Sequence, residues 1–587
     1  MNRFISSLTS VCQDHLLEEK LLIAPSLRIG HQWVELAARH GQGVLNLAPT
    51  TMKGFALKIA GPVIAKKGLK IITAKGIQVL ISDSWTRTIQ EKGGYFSSLK
   101  PSTGLIEAMA KAVRDLRLAG LAAEALDPDS FTTASKGREI ISLVEDYGSA
   151  LGKNGLTDYA GVLALAVSIL EKDPAAARND IRILIPDDAN FGALEQQLLE
   201  LVPDRVKIIL PFDNPEPDPG KARERPCQSP LLKWKTPGED TNDDPELTRV
   251  AMFNAVGEIN EIRGLLRRCL AAQIPFDSVE VLHTDTGTYV PLIFETIVGH
   301  TGGGSDLDNL PVTFAEGIPA SMSRPGRALS SLILWSRSGW SVSALSRMLS
   351  DGLLTVTDNP RDIPFARLAA LLQKLVPAGG RDTILSMLDR QAAALKRRVE
   401  VRQPDEEGEA IALELANDLE AALVLRGFIH DLLAALPDRW GDPAQTLKCA
   451  ETFLNDFARS ADRLDGYGQK HLVEEICEMT EWVGMFPKPF NLNITQWLAG
   501  LPEQVRIAGS GPSPGKIHVA HLLAGGHSGR SNTYIVGLDE GRFPGAGLQD
   551  PILLDAERRR LSEKLTVSQD LNSRKTRDFY RLLSRLR

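Results

Sequence analysis

The stretch TYIVGLDEGRFP (Thr533–Pro544) decides the fold. Its first residues are β-branched, aromatic and apolar, which suits a buried strand, and Gly537 ends them. An acidic-glycine turn follows at Asp539-Glu540-Gly541, and Phe543-Pro544 closes the segment. Working back along the chain, Lys516–Leu523 reads as a companion strand. Val279–Leu282 is another, set between helical patterns at Glu258–Ala272 and Tyr289–Val298, and Arg249–Ala255 precedes them as a further strand. The front of the chain has the same style. Leu21–Ala24 is a short apolar run closed by Pro25-Ser26, Ile29–His40 has helical spacing up to the Gly41-Gln42-Gly43 breaker, and Val44–Ala48 returns as a strand. Ile181–Ile185 and Val206–Leu210 are two more strands around a helix at Phe191–Val202. Helix and strand in alternation predict parallel sheets and an α/β fold class.

Between these strand-bearing parts the spacing is helical, from Pro62 to Gly155 and from Val312 to Trp497, with an acidic loop at Pro404–Glu409. Residues 211 to 245 carry eight prolines among many charges and read as a linker. The map is two α/β units, each interrupted by a helical insertion. The first is 1–61 with 156–212, interrupted by 62–155; a linker covers 213–247; the second is 248–309 with 503–587, interrupted by 310–502.

Composition narrows the class. Of 587 residues, 43% are hydrophobic and 24% charged, which suits several buried cores and excludes disordered or collagen-like chains. Lys plus Arg number 67 against 74 Asp plus Glu, a net charge of -7, so one dominating basic surface is excluded while a local basic face is not. Cys12, Cys227, Cys269, Cys449 and Cys477 include no CxxC pair, which excludes a disulfide framework or zinc ribbon and suits a reducing compartment. No apolar run reaches the roughly 18 residues of a membrane span, and the N-terminus lacks a signal-peptide core. The expected location is cytoplasmic.

The segment around Gly537, Glu540, Gly541, Phe543 and Pro544 resembles the motif V region of superfamily 1 helicases of the UvrD and RecB type. DPILLDAERRRL (Asp550–Leu561) is similar to the segment that trails this motif in the B subunit of AddAB-type helicase–nucleases. Gly257–Leu353 resembles the entry to the second motor domain and its helical insertion. LLIAPS and LNLAPTT resemble motifs Ia and Ib, and the stretch from Ile181 to Asp213 resembles the part spanning motifs II and III. The order of these segments carries the resemblance. It implies two RecA-like (P-loop NTPase-type) parallel-sheet domains, each with a large, mostly helical insertion.

A motor of this class holds phosphates in a GxxxxGK[ST] loop, and none occurs here. Along the resemblance, Pro186 takes the place of the metal-binding carboxylate and Asp187 that of the water-orienting acid, with Asp188 next. Asn214 stands for the motif III Gln and His283 for the motif IV Arg. Gly526, His527, Ser528 and Gly529 stand for Lys-Gly-Leu-Glu. Motif VI and the PD-(D/E)xK nuclease domain are expected beyond Arg587. Pro186-Asp187-Asp188 and Pro404-Asp405-Glu406-Glu407 begin like nuclease motifs but lack a following E-x-K, so they read as a strand-end turn and a solvated loop. The expectation is a chain with no catalytic residue, metal or cofactor of its own.

DNA contact is a separate question. Residues 36 to 82 contain no Asp or Glu but carry Arg39, Lys53, Lys58, Lys66, Lys67, Lys70 and Lys75, a candidate phosphate-contacting strip. The tail Glu557–Arg587 holds ten basic and four acidic residues, a weaker candidate. By the resemblance, Ser26, Thr50 and Thr51 sit where short hydroxyls meet the DNA backbone; helix capping is an equal reading for Ser26 and Thr51. The tryptophans read as core, and His283, His518, His521 and His527 form no metal-ligand pattern. The implied function is a non-hydrolysing helicase-like subunit that binds and guides single-stranded DNA or a duplex end during double-strand-break repair, partnered with an active AddA-like helicase–nuclease subunit. The alternatives are an autonomous ATP-dependent helicase with divergent motifs and a protein–protein scaffold without DNA affinity.

Overall fold

In chain order the front of the protein carries β1 (Glu19–Ile23), β2 (Leu47–Thr50), β3 (Lys70–Ile71), β4 (Leu156–Thr157), β5 (Ile181–Pro186) and β6 (Lys207–Leu210). The computed structural model describes residues 3–586 apart from 40–42, 91–92, 178–179, 212–250, 301–306, 308, 357–358, 360–361, 376–378, 401–405, 438–439 and 487–491. The expected Pro-rich linker and Asn214 lie outside the described residues.

Strands β2, β1, β5 and β6, in that order, form a four-stranded sheet in which every pairing is parallel. Successive side chains of a strand point to opposite faces, so a strand covered on both sides must be apolar throughout. The sequence supplies this except at Lys20 of β1, which is fully buried with its Nζ donating to the His15 and Glu18 carbonyls. Leu21, Ile23, Ile183 and Ile185 pack into one core with Phe55, Ile59, Leu163 and Val167. Leu22, Leu184 and Leu210 pack into another with Phe4, Ile29 and Trp33. The helix Leu27–Arg39 carries the chain from β1 back to β2, the crossover a parallel pair requires. Helices Ala74–Trp85, Thr103–Leu118 and Ala134–Lys153 lie between β3 and β4.

The later strands are β7 (Val279–His283), β8 (Val312–Phe314), β9 (Ile318–Pro319), β10 (Arg506–Ile507), β11 (Ile517–His521) and β12 (Asn532–Val536). A second four-stranded parallel sheet has the order β12, β7, β11, β8. The α/β class follows from these two sheets. The chain divides into two compact units: Met1–Gly302 with Leu310–Glu316 and Ser510–Arg587, which contains both sheets, and Gly303–Asn309 with Gly317–Gly509. The second unit is helical except for β9 and β10, which pair antiparallel. Among the described residues, no helix is long and apolar enough to cross a membrane.

Several expectations need correction. The strand expected at Val44–Ala48 is β2 at Leu47–Thr50, three residues later, because Asn46 adopts a left-handed φ of 52° and its side chain donates to the Leu17 carbonyl. Pro49 is tolerated because β2 is an edge strand. Residues 251–255 form no strand; the Phe253 ring lies 4.2 Å from the Arg268 guanidinium instead. Val312 does not begin a helical run, since β8 there is the fourth strand of the second sheet. The second compact unit comprises Gly303–Asn309 and Gly317–Gly509, where the helical insertion was expected at 310–502. The acidic stretch from Glu406 is the start of the 30-residue helix Glu406–Ala435, not a loop.

Candidate functional site

The strand ends of the first sheet bring three expected residues together. Ser26 follows β1, and Thr50 ends β2, with the Ala24 N–H donating to the Thr50 carbonyl at 2.8 Å. Both alternative hydroxyl roles include capping, and the caps are made: the Ile29 N–H donates to Ser26 Oγ at 3.3 Å and the Gly54 N–H to Thr51 Oγ1 at 3.1 Å. Thr50 is buried. Its hydroxyl oxygen lies 2.6 Å from where a Cβ on Gly54 would sit, so the helix Met52–Lys66 starts tight against the strand end. Lys53, Lys58, Lys66, Lys67 and Lys70 are exposed along and after that helix. Among the described residues, no carboxylate pairs with Lys53, Lys58, Lys66 or Lys67. Arg39 differs, because Glu35 one turn earlier forms an ion pair with it.

The positions matched to a nucleotide site are occupied by the protein itself. Pro186 ends β5; the Asp187 N–H donates to the Leu210 carbonyl at 3.0 Å, and the Asp188 carbonyl accepts from Arg581 at 3.1 Å. His283 ends β7 with no exposed surface, its Nε2 3.8 Å from Glu316 and its ring 5.6 Å from that of His521. Glu316 in turn accepts from Arg28 Nη2 and from the His521 N–H, both at 3.1 Å, which joins the end of the second sheet to the helix after β1.

The loop from Gly526 to Gly529 is packed most closely of all. Trp33 Nε1 donates to His527 Nδ1 at 3.0 Å, and both residues are buried. Gly529 has a φ of 70°, and a Cβ there would lie 2.4 Å from Leu36. A Cβ on Gly526 would meet Leu582 at 2.3 Å. The Gly526 N–H also donates to the buried Glu280 carboxylate, whose pKa burial raises. Where the resemblance has a Lys and a Glu, this chain has a turn without charged side chains, wedged between Trp33, Leu36 and Leu582.

The motif V-like segment is likewise committed inward. The Gly537 N–H donates to Glu261 at 3.1 Å, and its carbonyl accepts from Thr284 Oγ1 at 2.7 Å. Arg542 donates to Glu258 at 2.5 Å and to Asp539 at 2.7 Å, so its charge is already answered. The Phe543 ring packs at a tilt of 55° against Phe579 of the helix Ser568–Arg585, with centroids 5.1 Å apart. Glu540, Gly541 and Pro544 are exposed. Among the described residues, no group of three His, Cys, Asp or Glu side chains is arranged to hold a metal.

Sequence reading missed the joints that matter most here. Trp33 and His527 are 494 positions apart, and Lys136 and Glu557 are 421 apart. Neither pair belongs to a local pattern, so no periodicity signals it. In the tail, Glu557 and Arg558 are buried rather than solvent-facing. No family model matches the chain, and no curated protein matches it.

His518 gives this region a pH response. It is the second residue of β11, 1% exposed, with Nδ1 3.0 Å from Thr313 Oγ1. Burial, with Arg530 and Arg28 nearby, lowers its pKa from 6.5 to about 3. Between those values the unfolded chain takes up a proton that the folded chain refuses, so stability is full above 6.5 and falls as the pH drops. At about pH 5 the loss is about 2 kcal/mol. Urea unfolding at neutral and mildly acid pH should show this drop, and His518→Gln should remove most of it. An equal drop in both proteins would refute the assignment.

Proposed function

We propose that the two parallel sheets are RecA-like domains without a working nucleotide site. The chain then acts as a helicase-like subunit similar to the B subunit of AddAB-type helicase–nucleases. In this reading it binds DNA and guides it during the processing of double-strand ends, while a partner subunit supplies the motor. The observation that carries the reading is the turn at Gly526–Gly529. In a working motor this turn would face nucleotide with charged groups; here it is sealed by Trp33, Leu36 and Leu582. His283 at the end of β7 is equally enclosed and offers no guanidinium. What supports DNA contact is the exposed set Lys53, Lys58, Lys66 and Lys67 after β2, with which no carboxylate pairs among the described residues.

Two measurements test this. Equilibrium titration with labelled ATP and Mg²⁺ should give no saturable binding in the micromolar range; saturation there would sink the reading. Affinity for a single-stranded oligonucleotide should fall steeply with salt. In Lys53→Glu/Lys58→Glu the affinity should fall by about tenfold or more, and the slope of log affinity against log salt should shrink by roughly two. Weak binding that ignores both salt and the substitutions would leave a scaffold without DNA affinity.

A further inference from the structure

Contacts of three kinds tie the part of the chain around the first sheet to the part around the second, both inside one compact unit. On one face of the first sheet, Trp33 Nε1 donates to His527 Nδ1 at 3.0 Å with the two rings at 84°, and Leu36 packs against the turn at Gly529. Ala524, just after β11, packs on the same core as Phe4, Ile29 and Trp33, so the apolar interior of one sheet runs on towards the other. At the strand ends, Glu316 after β8 accepts from Arg28 Nη2, and Arg581 of the helix Ser568–Arg585 donates to the Asp188 carbonyl after β5, both at 3.1 Å. The third tie is ionic. Lys111 Nζ lies 2.7 Å from Asp550 and Arg558 Nη2 2.8 Å from Asp115, which joins the segment after β12 to the helix Thr103–Leu118. That helix belongs to the opposite face of the first sheet, since its Leu118 packs on the core that holds Phe55 and Leu163.

We propose that these ties lock the two sheets into one body, a fixed joint where a motor has a hinged one. A hinge opens by breaking contacts on one side of an axis and keeping those on the other. Here the ties lie on both faces of the first sheet and at its strand ends, so a rotation that spares one set breaks another. The parted groups also find no ready substitute. Trp33 and His527 are both buried, and separating them wets an aromatic core. Asp550 and Arg558, each 6% exposed, answer one another as well as Lys111 and Asp115, so the ionic tie parts as a network rather than as separate surface pairs. The consequence is mechanical: a displacement that a partner imposes on one sheet reaches the other undamped. The inference concerns motion alone and uses none of the lysines that carry the DNA-guiding reading, so it holds equally for a scaffold without DNA affinity.

Nitroxide labels at Glu200→Cys, at the end of the helix Ala193–Glu200, and at Arg263→Cys, on the helix Glu258–Ala271, report the separation of the two parts. The whole chain carries them with Cys227, Cys449 and Cys477 replaced by Ser, while Cys12 and Cys269 are fully buried. Pulsed dipolar spectroscopy should give one narrow distance, whose mean shifts by less than about 2 Å with Mg²⁺ and ATP or with an oligothymidylate. Cutting one member of each tie, in Arg28→Gln/Lys111→Gln/His527→Leu, should widen the distribution about twofold or more. Arg28 and Lys111 are only partly buried, so Arg28→Gln/Lys111→Gln is a gentler variant that should widen it in the same direction even where the triple variant does not fold. Two populations in the parent, a shift beyond that limit, or cut ties that leave the distribution as narrow as before overturn the lock. Saturable ATP binding without a shift refutes the reading of an unworkable nucleotide site and leaves the lock standing.

Discussion

Lys136→Met should remove about 3–5 kcal/mol from the stability of the unit that holds the two sheets, because it strips the counter-charge from a carboxylate with no access to water. Lys136 and Glu557 are 2% and 0% exposed in their side chains, and Lys136 Nζ lies 2.8 and 2.9 Å from the two carboxylate oxygens. Glu557 also accepts from the Thr132 N–H and hydroxyl and from the Leu554 N–H. Burial alone would raise its pKa; the bonds from Lys136 and Thr132 outweigh that and hold it below 4.5. A depressed folded value means that the stabilisation is present above 4.5 and is lost as the pH falls through the folded value. In Lys136→Met the depression should vanish and the carboxyl should take up its proton at a higher pH. The double variant Lys136→Met/Glu557→Gln should be more stable than the single one, since no bare charge is left inside. Urea denaturation of the four proteins closes the cycle. A single-variant loss under about 1 kcal/mol, or simple additivity, would show that the pair is not the buried clasp described here.

That clasp also shows where sequence reading stops. β1, β5, β7, β11 and β12 were legible because each holds apolar and β-branched residues between turn or helix signals, although β7 and β11 also bury Glu280, His283 and His518. β8 was not, since three residues inside Pro311–Phe314 carry too little pattern to distinguish a strand from the start of a helix. The expected strand at 249–255 had the right composition, but across 251–255 Phe253 meets the Arg268 guanidinium rather than a sheet edge. The positions that the resemblance matches to a nucleotide site, and the charges absent from them, could be read from order alone. What replaces the charges could not, because Trp33 reads as an ordinary amphipathic helix residue and His527 as a loop histidine until the fold brings them together. The tail has the same history. Its excess of basic residues was visible, yet Arg558 turns inward to Asp115 and Asp550, at 2.8 and 3.2 Å.

The substitution Gly537→Ala carries the second large effect, expected at about 2–5 kcal/mol. Gly537 has a φ of 78°, a conformation that costs a residue with a Cβ about 1–2 kcal/mol. Its missing side chain is also required by space: a Cβ would lie 2.3 Å from Thr284 Oγ1 and 2.6 Å from the Tyr289 ring. Neither neighbour is free to yield. Thr284 donates to the Gly537 carbonyl, and Tyr289 donates to Glu261 at 2.6 Å while Glu261 accepts the Gly537 N–H. Forcing a methyl into such a site adds about 1–3 kcal/mol. Gly541→Ala, four residues on, provides the contrast: its φ is not left-handed and its nearest neighbour is Asp539 Oδ1 at 3.2 Å, so the loss there should stay under about 1 kcal/mol. Equal effects at the two glycines would mean that the end of β12 is not held as described. A large effect at Gly537 alone would mean that packing against β7 and its following helix is sufficient reason for this glycine. The resemblance to motif V then has a structural cause that DNA contact does not supply, and affinity for single strands measured on the folded Gly537→Ala protein should be unchanged.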